Sequence, residues 1–249
     1  MSILVLAGVD PSGAAGLRRD VWALAKCGHD AIAIPTCLTL QSRVVRADPI
    51  DDAWLADTLD DVVESAEVHA IKIGLVVHAS VWRTLLPRVA KLVARGIPLV
   101  VDPVRGPSSG GFSVEAEGRE ILRDDVGPLH AILTPNRPEL AWLASPPRAN
   151  DDFLADDALQ ELLALGFGAV LLKGGHADSK TMVVDRLVSA DGEWRYSRAR
   201  REDGRGRRGT GCTLSSFLTA GLADGLDIAM AARVAGHRLQ QVWNELRIG

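Results

Sequence analysis

The sequence predicts an α/β fold in which a mostly parallel central sheet carries helices on both faces. Three observations support this. Apolar runs of strand length recur along the chain, helical spacings of apolar residues fill the intervals, and polar or glycine-rich turns close most of the runs. With 249 residues, 47% of them hydrophobic and 24% charged, the chain has apolar surface enough for a large core. No linker, low-complexity tract or internal repeat divides it, so one domain over residues 1–249 is expected.

The strands come first in the argument. ILVLA (3–7), AIAIPTCL (31–38), HAIKIGL (69–75), PLVVDPV (98–104), HAILT (130–134) and GAVLLKGG (168–175) are short, rich in branched residues and bounded by turn residues. That is the pattern of buried parallel strands. Between them, Leu55, Leu59, Val62 and Val63 follow the Asp51-Asp52 start, and Val81, Leu85, Val89, Leu92 and Val93 precede Gly96. Each set lies on one helical face. Strands alternating with helices imply βαβ units and a mainly parallel sheet covered on both sides. TMVVDRLVS and EWRYSRA, joined at Ala190-Asp191-Gly192, predict an antiparallel hairpin near a sheet edge. After Gly211 the pattern is helical, with Leu214, Phe217, Leu218, Gly221 and Leu222 on one face, and a last helix runs from about Ile228 to Leu246.

The formal net charge of −4 gives no global attraction to nucleic acid or an anionic membrane. Cys27, Cys37 and Cys212 are too few and too scattered for a disulfide framework or a four-ligand zinc site, which favours a reducing compartment. No apolar run reaches the roughly 18 to 20 residues that span a bilayer, and MSILVLAGVDPSG lacks the basic start of a signal peptide. A cytoplasmic location is expected.

In open α/β sheets, ligands bind beyond the carboxyl ends of the strands. The residues there are GVDPSGAAG (8–16), TLQS (39–42), KIG (72–74), DPV (102–104), TPNRPE (134–139) and KGGH (173–176). Each alone reads more readily as turn chemistry, and it is their joint position on one edge that points to a site. A further turn, RGRRGTGCTLSS, sets glycines on either side of Thr210 at the start of a helix near Cys212. The first N–H groups of a helix have no intrahelical acceptors, and its dipole places partial positive charge there. Gly209 and Gly211 let the backbone approach one anion closely. Thr210 as a plain helix cap is an equal reading of that tripeptide. Neither a Walker sequence nor a GxGxxG fingerprint is present, which disfavours P-loop and dinucleotide folds. Cys212 at a helix start, near a bound cation or Arg208, is expected to have a lowered pKa, against the alternative of an inert packing thiol.

Taken in order, LAGVDPSGAAGLRRD, TLQS, IKIGLV, VVDPV, LTPNRPE, LLKGGH and GTGCTLSS resemble the hydroxymethylpyrimidine and phosphomethylpyrimidine kinases, ribokinase-like enzymes with pyridoxal kinases as near relatives. The resemblance implies a ribokinase-like three-layer sandwich and a homodimer. It implies transfer of the ATP γ-phosphoryl group, with Mg²⁺, to 4-amino-5-hydroxymethyl-2-methylpyrimidine and then to its monophosphate. It assigns Gly209, Thr210, Gly211 and Cys212 to an anion hole, with the Cys212 thiol as proton acceptor. It assigns Lys173 and Asn136 to the nucleotide, and Asp102 and Glu139 to the metal; Arg208, with a planar fork of donors, is expected to reach a nucleotide phosphate, with a solvated arginine as the plainer reading. Gly8, Asp20, Gln41, Leu75 and Val104 are assigned to the pyrimidine, Asp20 accepting from its exocyclic amine.

For several of these a plainer reading stands beside the assigned one. Asn136 and Glu139 have the spacing of a capping box, and Lys173 can be a solvated lysine after a strand. Two positions depart from the family pattern. Ala14 replaces a glycine, a small change if its φ is negative. Arg208 replaces a histidine, and the basic stretch that precedes it from Ser197 is expected to form a flap near ATP. That stretch is short, lacks stacking aromatics and sits in an acidic protein, so nucleic acid is not expected as a partner.

Overall fold

The computed structural model describes residues 1–41, 45–106, 111–144, 155–176, 181–200 and 207–246. Among these residues nine strands form one sheet in the order β3-β2-β1-β4-β5-β6-β7-β8-β9. They are β1 (Ser2–Val9), β2 (Asp30–Gln41), β3 (Val45–Pro49), β4 (Ala70–Ile73), β5 (Leu99–Val101), β6 (Ile132–Leu133), β7 (Ala169–Leu172), β8 (Met182–Ser189) and β9 (Gly192–Ala199). The run from β2 through β1, β4, β5 and β6 to β7 is parallel. Antiparallel strands close it at both edges, β3 on β2 and the β8–β9 hairpin on β7.

Alternation along β1 shows why two helical layers are needed. Leu4 and Leu6 face one side, packing with Leu55 and Leu59 of α2 (Asp52–Ser65) and Val81 and Leu85 of α3 (Ala79–Val93). Ile3, Val5 and Ala7 face the other, with Leu24 of α1 (Gly16–Lys26) and Ala220 of α7 (Thr210–Ala223). The first layer continues through α4 (Ala116–Glu120), α5 (Arg137–Leu143) and α6 (Ala155–Ala164), and α8 (Ile228–Gln241) completes the second beside α7. This is the expected three-layer sandwich.

Local chemistry fixes the helix starts. The Asp51 carboxylate accepts the Trp54 N–H at 2.8 Å and begins α2; Asp227 does the same for Met230 and begins α8. Sequence reasoning missed β3, and it ran the last helix too far: α8 stops at Gln241 and a 3-10 turn covers Trp243–Glu245. It also gave no sign that α4 passes into a π-helical turn over Ile121–Asp125.

The order reverses beside β1, where β2 lies on one side and β4 on the other. Adjacent parallel strands whose connections leave in opposite directions open a crevice at their carboxyl ends.

Candidate active site

A cavity of about 1010 Å³ opens along that edge. Gly8, Asp20, Leu75, Asp102, Val104, Asn136, Glu139, Lys173, Arg208 and the run Gly209 to Cys212 all line it. Sequence-distant candidates thus meet in one place. Gln41 ends β2 opposite Val45 in the register, and its side chain lies outside the described residues. The expected flap before Arg208 falls mainly on residues 201–206, also outside them.

The glycine turn takes its shape from backbone geometry. Gly209 is the N-cap of α7, at φ 76° and ψ 11°, and no side chain caps the helix. Its carbonyl accepts the Thr213 N–H at 2.9 Å. The helix therefore begins at Thr210, two residues earlier than expected, and the reading of Thr210 as the cap is set aside. The N–H groups of Thr210, Gly211 and Cys212 precede the first intrahelical bond, so they are offered to the cavity. A Cβ on Gly209 would stand 2.2 Å from the Ala14 carbonyl oxygen, and one on Gly211 would stand 3.2 Å from Lys173 Nζ. Only glycine at 209 combines the left-handed backbone with that approach.

Across the turn lies the first βα loop, organised by Asp10. Its Oδ1 accepts the Ser12 N–H at 2.9 Å, and its Oδ2 accepts the Ser12 hydroxyl at 2.8 Å and the Ala15 N–H at 3.2 Å. Arg208 Nη2 stands 3.5 Å from Oδ2, so the residue that departs from the family pattern links the two loops at the cavity mouth. Gly13 and Gly16 carry the positive φ values of this loop while Ala14 does not, which explains why alanine is accepted there. Gly8 is held small by its neighbours: a Cβ would meet Cys37 Sγ at 2.8 Å and a Leu75 methyl at 3.1 Å.

The acidic candidates are already engaged. Lys173 is 8% exposed and not a solvated lysine; its Nζ lies 2.6 Å from Asp102 Oδ1 and 3.4 Å from Glu139 Oε2. Burial acts to raise Asp102, but Lys173 and Lys72 outweigh it and hold the carboxyl below its ordinary range. Glu139 goes the other way, because burial together with Asp102 exceeds the pull of Lys173. Asn136 and Glu139 form a full capping box on α5, with Asn136 Oδ1 accepting the Glu139 N–H at 2.9 Å and Glu139 Oε2 accepting the Asn136 N–H at 2.7 Å. Asn136 Oδ1 is thereby committed to the helix, and the expected contact with the nucleotide falls to the Nδ2 donors of a residue that lines the cavity.

Two further expectations need correction. The Cys212 thiol is not lowered; it is pushed up to about 12 by burial and by Asp20, with Lys72 and the Gly16 N–H only partly opposing. Burial and acidic neighbours exceed the helix-end effect that suggested a thiolate. Asp20 does not present a free carboxylate to a substrate amine. It is fully buried, its Oδ2 is 2.6 Å from Lys72 Nζ, and its Oδ1 accepts the Ser216 hydroxyl at 2.9 Å. Lys72 falls within the strand-end motif KIG (72–74) but received no role from the sequence, although a lysine inside the apolar run AIKI is a visible anomaly.

Set against known proteins, this arrangement has a clear place. The phosphomethylpyrimidine kinase profile matches residues 10–249. The chain belongs to that family. It is 32% identical over 222 residues to the Escherichia coli hydroxymethylpyrimidine/phosphomethylpyrimidine kinase, covering 88% of this chain and 82% of the relative. It is 34% identical over 238 residues to the Synechococcus elongatus enzyme of the same name, covering 94% and 88%. Among solved structures, the phosphomethylpyrimidine kinase of Clostridium difficile superposes with TM-score 0.80 at 28% identity, over 98% of this chain and 99% of that one. A Bacillus subtilis pyridoxal kinase in complex with ADP superposes at 0.81 with 23% identity, over 95% and 88%, a likeness of fold.

Proposed function

We propose that this phosphomethylpyrimidine kinase family member transfers the γ-phosphoryl group of ATP to the hydroxymethyl group of 4-amino-5-hydroxymethyl-2-methylpyrimidine, and then to the resulting monophosphate. The observation that carries the reading is the cavity itself. It joins the three N–H groups that precede the first intrahelical bond of α7 to Lys173 on one flank and to the loops after β1 and β4 on the other.

Phosphoryl transfer passes through a loose transition state that asks chiefly for positioning and for charge stabilisation on the phosphoryl oxygens. Thr210, Gly211 and Cys212 donate backbone N–H groups to those oxygens, and Lys173 adds a positive charge beside Gly211. Gly8, Leu75 and Val104 give the pyrimidine ring an apolar seat at the β1–β4 crevice. The Cys212 thiol is protonated at neutral pH, so it meets the acceptor hydroxyl as a neutral hydrogen-bonding group, and a loose transition state tolerates a weak base.

Magnesium keeps several waters and takes only one or two carboxylates. Asp102 and Glu139 supply hard oxygen donors of that kind, and both already contact Lys173. Among the described residues no group of three or more acids, histidines or cysteines is assembled as a cage. The donor set fits such an ion, and Asp102 and Glu139 would hold it. When bound, the ion neutralises phosphate charge.

Incubating the protein with Mg-ATP and the pyrimidine alcohol, its monophosphate or pyridoxal, with products followed by mass, tests the reading. The mono- and diphosphate of the pyrimidine are the expected products; pyridoxal phosphate alone would overturn it. A homodimer is proposed with it, supported by Leu38 and Leu40, which are 51% and 39% exposed on one face of β2. Light scattering after gel filtration measures it. Among the described residues, no helix is long and apolar enough to cross a membrane.

A further inference from the structure

Lys72 is the third residue of β4, between Ile71 and Ile73, which face the α2–α3 layer. Its own side is that of Ala70, under α1 and α7. A lysine in such a layer is rare, because removing an ammonium from water is costly. Lys72 and Asp20 are both 0% exposed, with charged atoms 2.6 Å apart. An apolar pair of similar volume is often the more stable choice at a buried site of this kind. Stability alone does not explain the pair, and its position supplies another reason.

Both residues line the cavity. Ser216 of α7 donates to Asp20 Oδ1, which ties the pair to the helix whose first turn carries the anion hole. Nζ stands 3.1 Å from the place a Gly74 Cβ would take, so a residue without a side chain leaves room above it. Cys212 and Asp102 line the same cavity as the pair. An ammonium has three N–H donors. Among the described residues Asp20 is the sole partner of this one, so the remaining donors call for an oxygen from water or from a bound molecule.

We propose that Lys72 is a positioning residue of the transfer step: clamped by Asp20 and Ser216, it holds fixed positive charge beneath the first turn of α7, where negative charge gathers during transfer. The inference rests on the kinase reading above. The acceptor alcohol is neutral in the ground state and gains negative charge only as the phosphoryl group moves. An interaction of that type acts on kcat and leaves KM for the nucleotide nearly unchanged.

Three variants test it against the wild type, in turnover of Mg-ATP with the pyrimidine alcohol, with thermal melting and ADP binding as folding checks. Lys72→Met removes the charge but leaves Asp20 buried without a counter-ion; the double variant Asp20→Asn, Lys72→Met removes both charges. Ser216→Ala loosens the clamp with a minimal change of volume. The expected result for the double variant is normal ADP binding, KM for ATP within about two-fold and kcat lower by about 100-fold, the scale of losing one preorganised electrostatic group. Ser216→Ala is expected to lower kcat by about five-fold at constant KM, a part of that effect. A folded double variant with wild-type kcat, a loss that appears in KM instead, or an unchanged Ser216→Ala would each overturn the proposal. Should the wild type act on pyridoxal and not on the pyrimidine, the proposed function falls while the same variants still decide Lys72 on that alcohol. Should it act on neither, both fall.

Discussion

Two buried lysines approach the first turn of α7, and they are held in different ways. Lys72 rises from β4 and meets one carboxylate, with both partners sealed from solvent. Lys173 follows β7, three strands across the sheet, and lies between two carboxylates at side-chain exposures of 10%, 1% and 12% for Lys173, Asp102 and Glu139. A lysine with a single buried counter-ion cannot leave it without stranding a bare charge, so its charge is a fixed part of the site. A lysine shared by two acids beside an open cavity can release one and take a phosphate oxygen without ever standing alone in a dry site. The difference separates a charge that is built in from a charge that follows the ligand.

The largest effect is expected from Lys173→Met. It should lower kcat/KM for ATP by about 1000-fold, the upper end for one electrostatic group, with a clear rise in KM. If steady-state kinetics give a loss in kcat alone, Lys173 is as fixed as Lys72 and the contrast is broken. Gly209→Ala comes next, because its Cβ meets the Ala14 carbonyl at 2.2 Å on a left-handed backbone. About 100-fold less turnover is expected from the displaced donors, together with a lower melting temperature.

Cys212→Ala is expected to cost less, within about ten-fold in kcat, because the thiol is a weak base in a reaction that asks little of one. Its raised pKa gives an independent check. The protonated form prevails until the pH nears 12, so iodoacetamide labelling at Cys212, followed by peptide mass, should keep rising beyond pH 10. A plateau near pH 9 would mean that the Lys72 charge dominates over burial, which would sharpen the claim for that lysine. The smallest effect belongs to Asn136→Ala. Loss of the capping box should remove about 1 kcal/mol in urea unfolding and leave turnover within a few-fold, through Glu139 alone.

Much of the fold was legible because its strands are apolar runs with clear ends, and the parallel core follows from them. The edge strand β3 was not: VRADP carries charge and a proline and buries none of its residues, being held in place by its pairing with β2. The π-helical turn is equally silent, since Ile121 and Leu122 fit an α-helical face as well. At the site, the motifs located the cavity and most of its lining. They failed where the outcome depended on three-dimensional neighbours. The helix end at Cys212 suggested a lowered thiol, and only the fold shows the burial and the acids that reverse the sign. Asp20 looked like a substrate ligand until its two oxygens were found engaged by residues 52 positions ahead and 196 ahead in the chain. The AIKI lysine was the one clue that could have been read directly.

The contact between Gly209 and the Ala14 carbonyl bears on how this protein can be altered. Two loops nearly 200 residues apart in the chain touch backbone to backbone, with no side chain between them to absorb a shift. Loop grafting or randomisation for a new acceptor alcohol therefore has to treat residues 10–16 and 207–212 as one coupled unit. A library that varies the first loop alone will distort the phosphate cradle before it samples any new specificity.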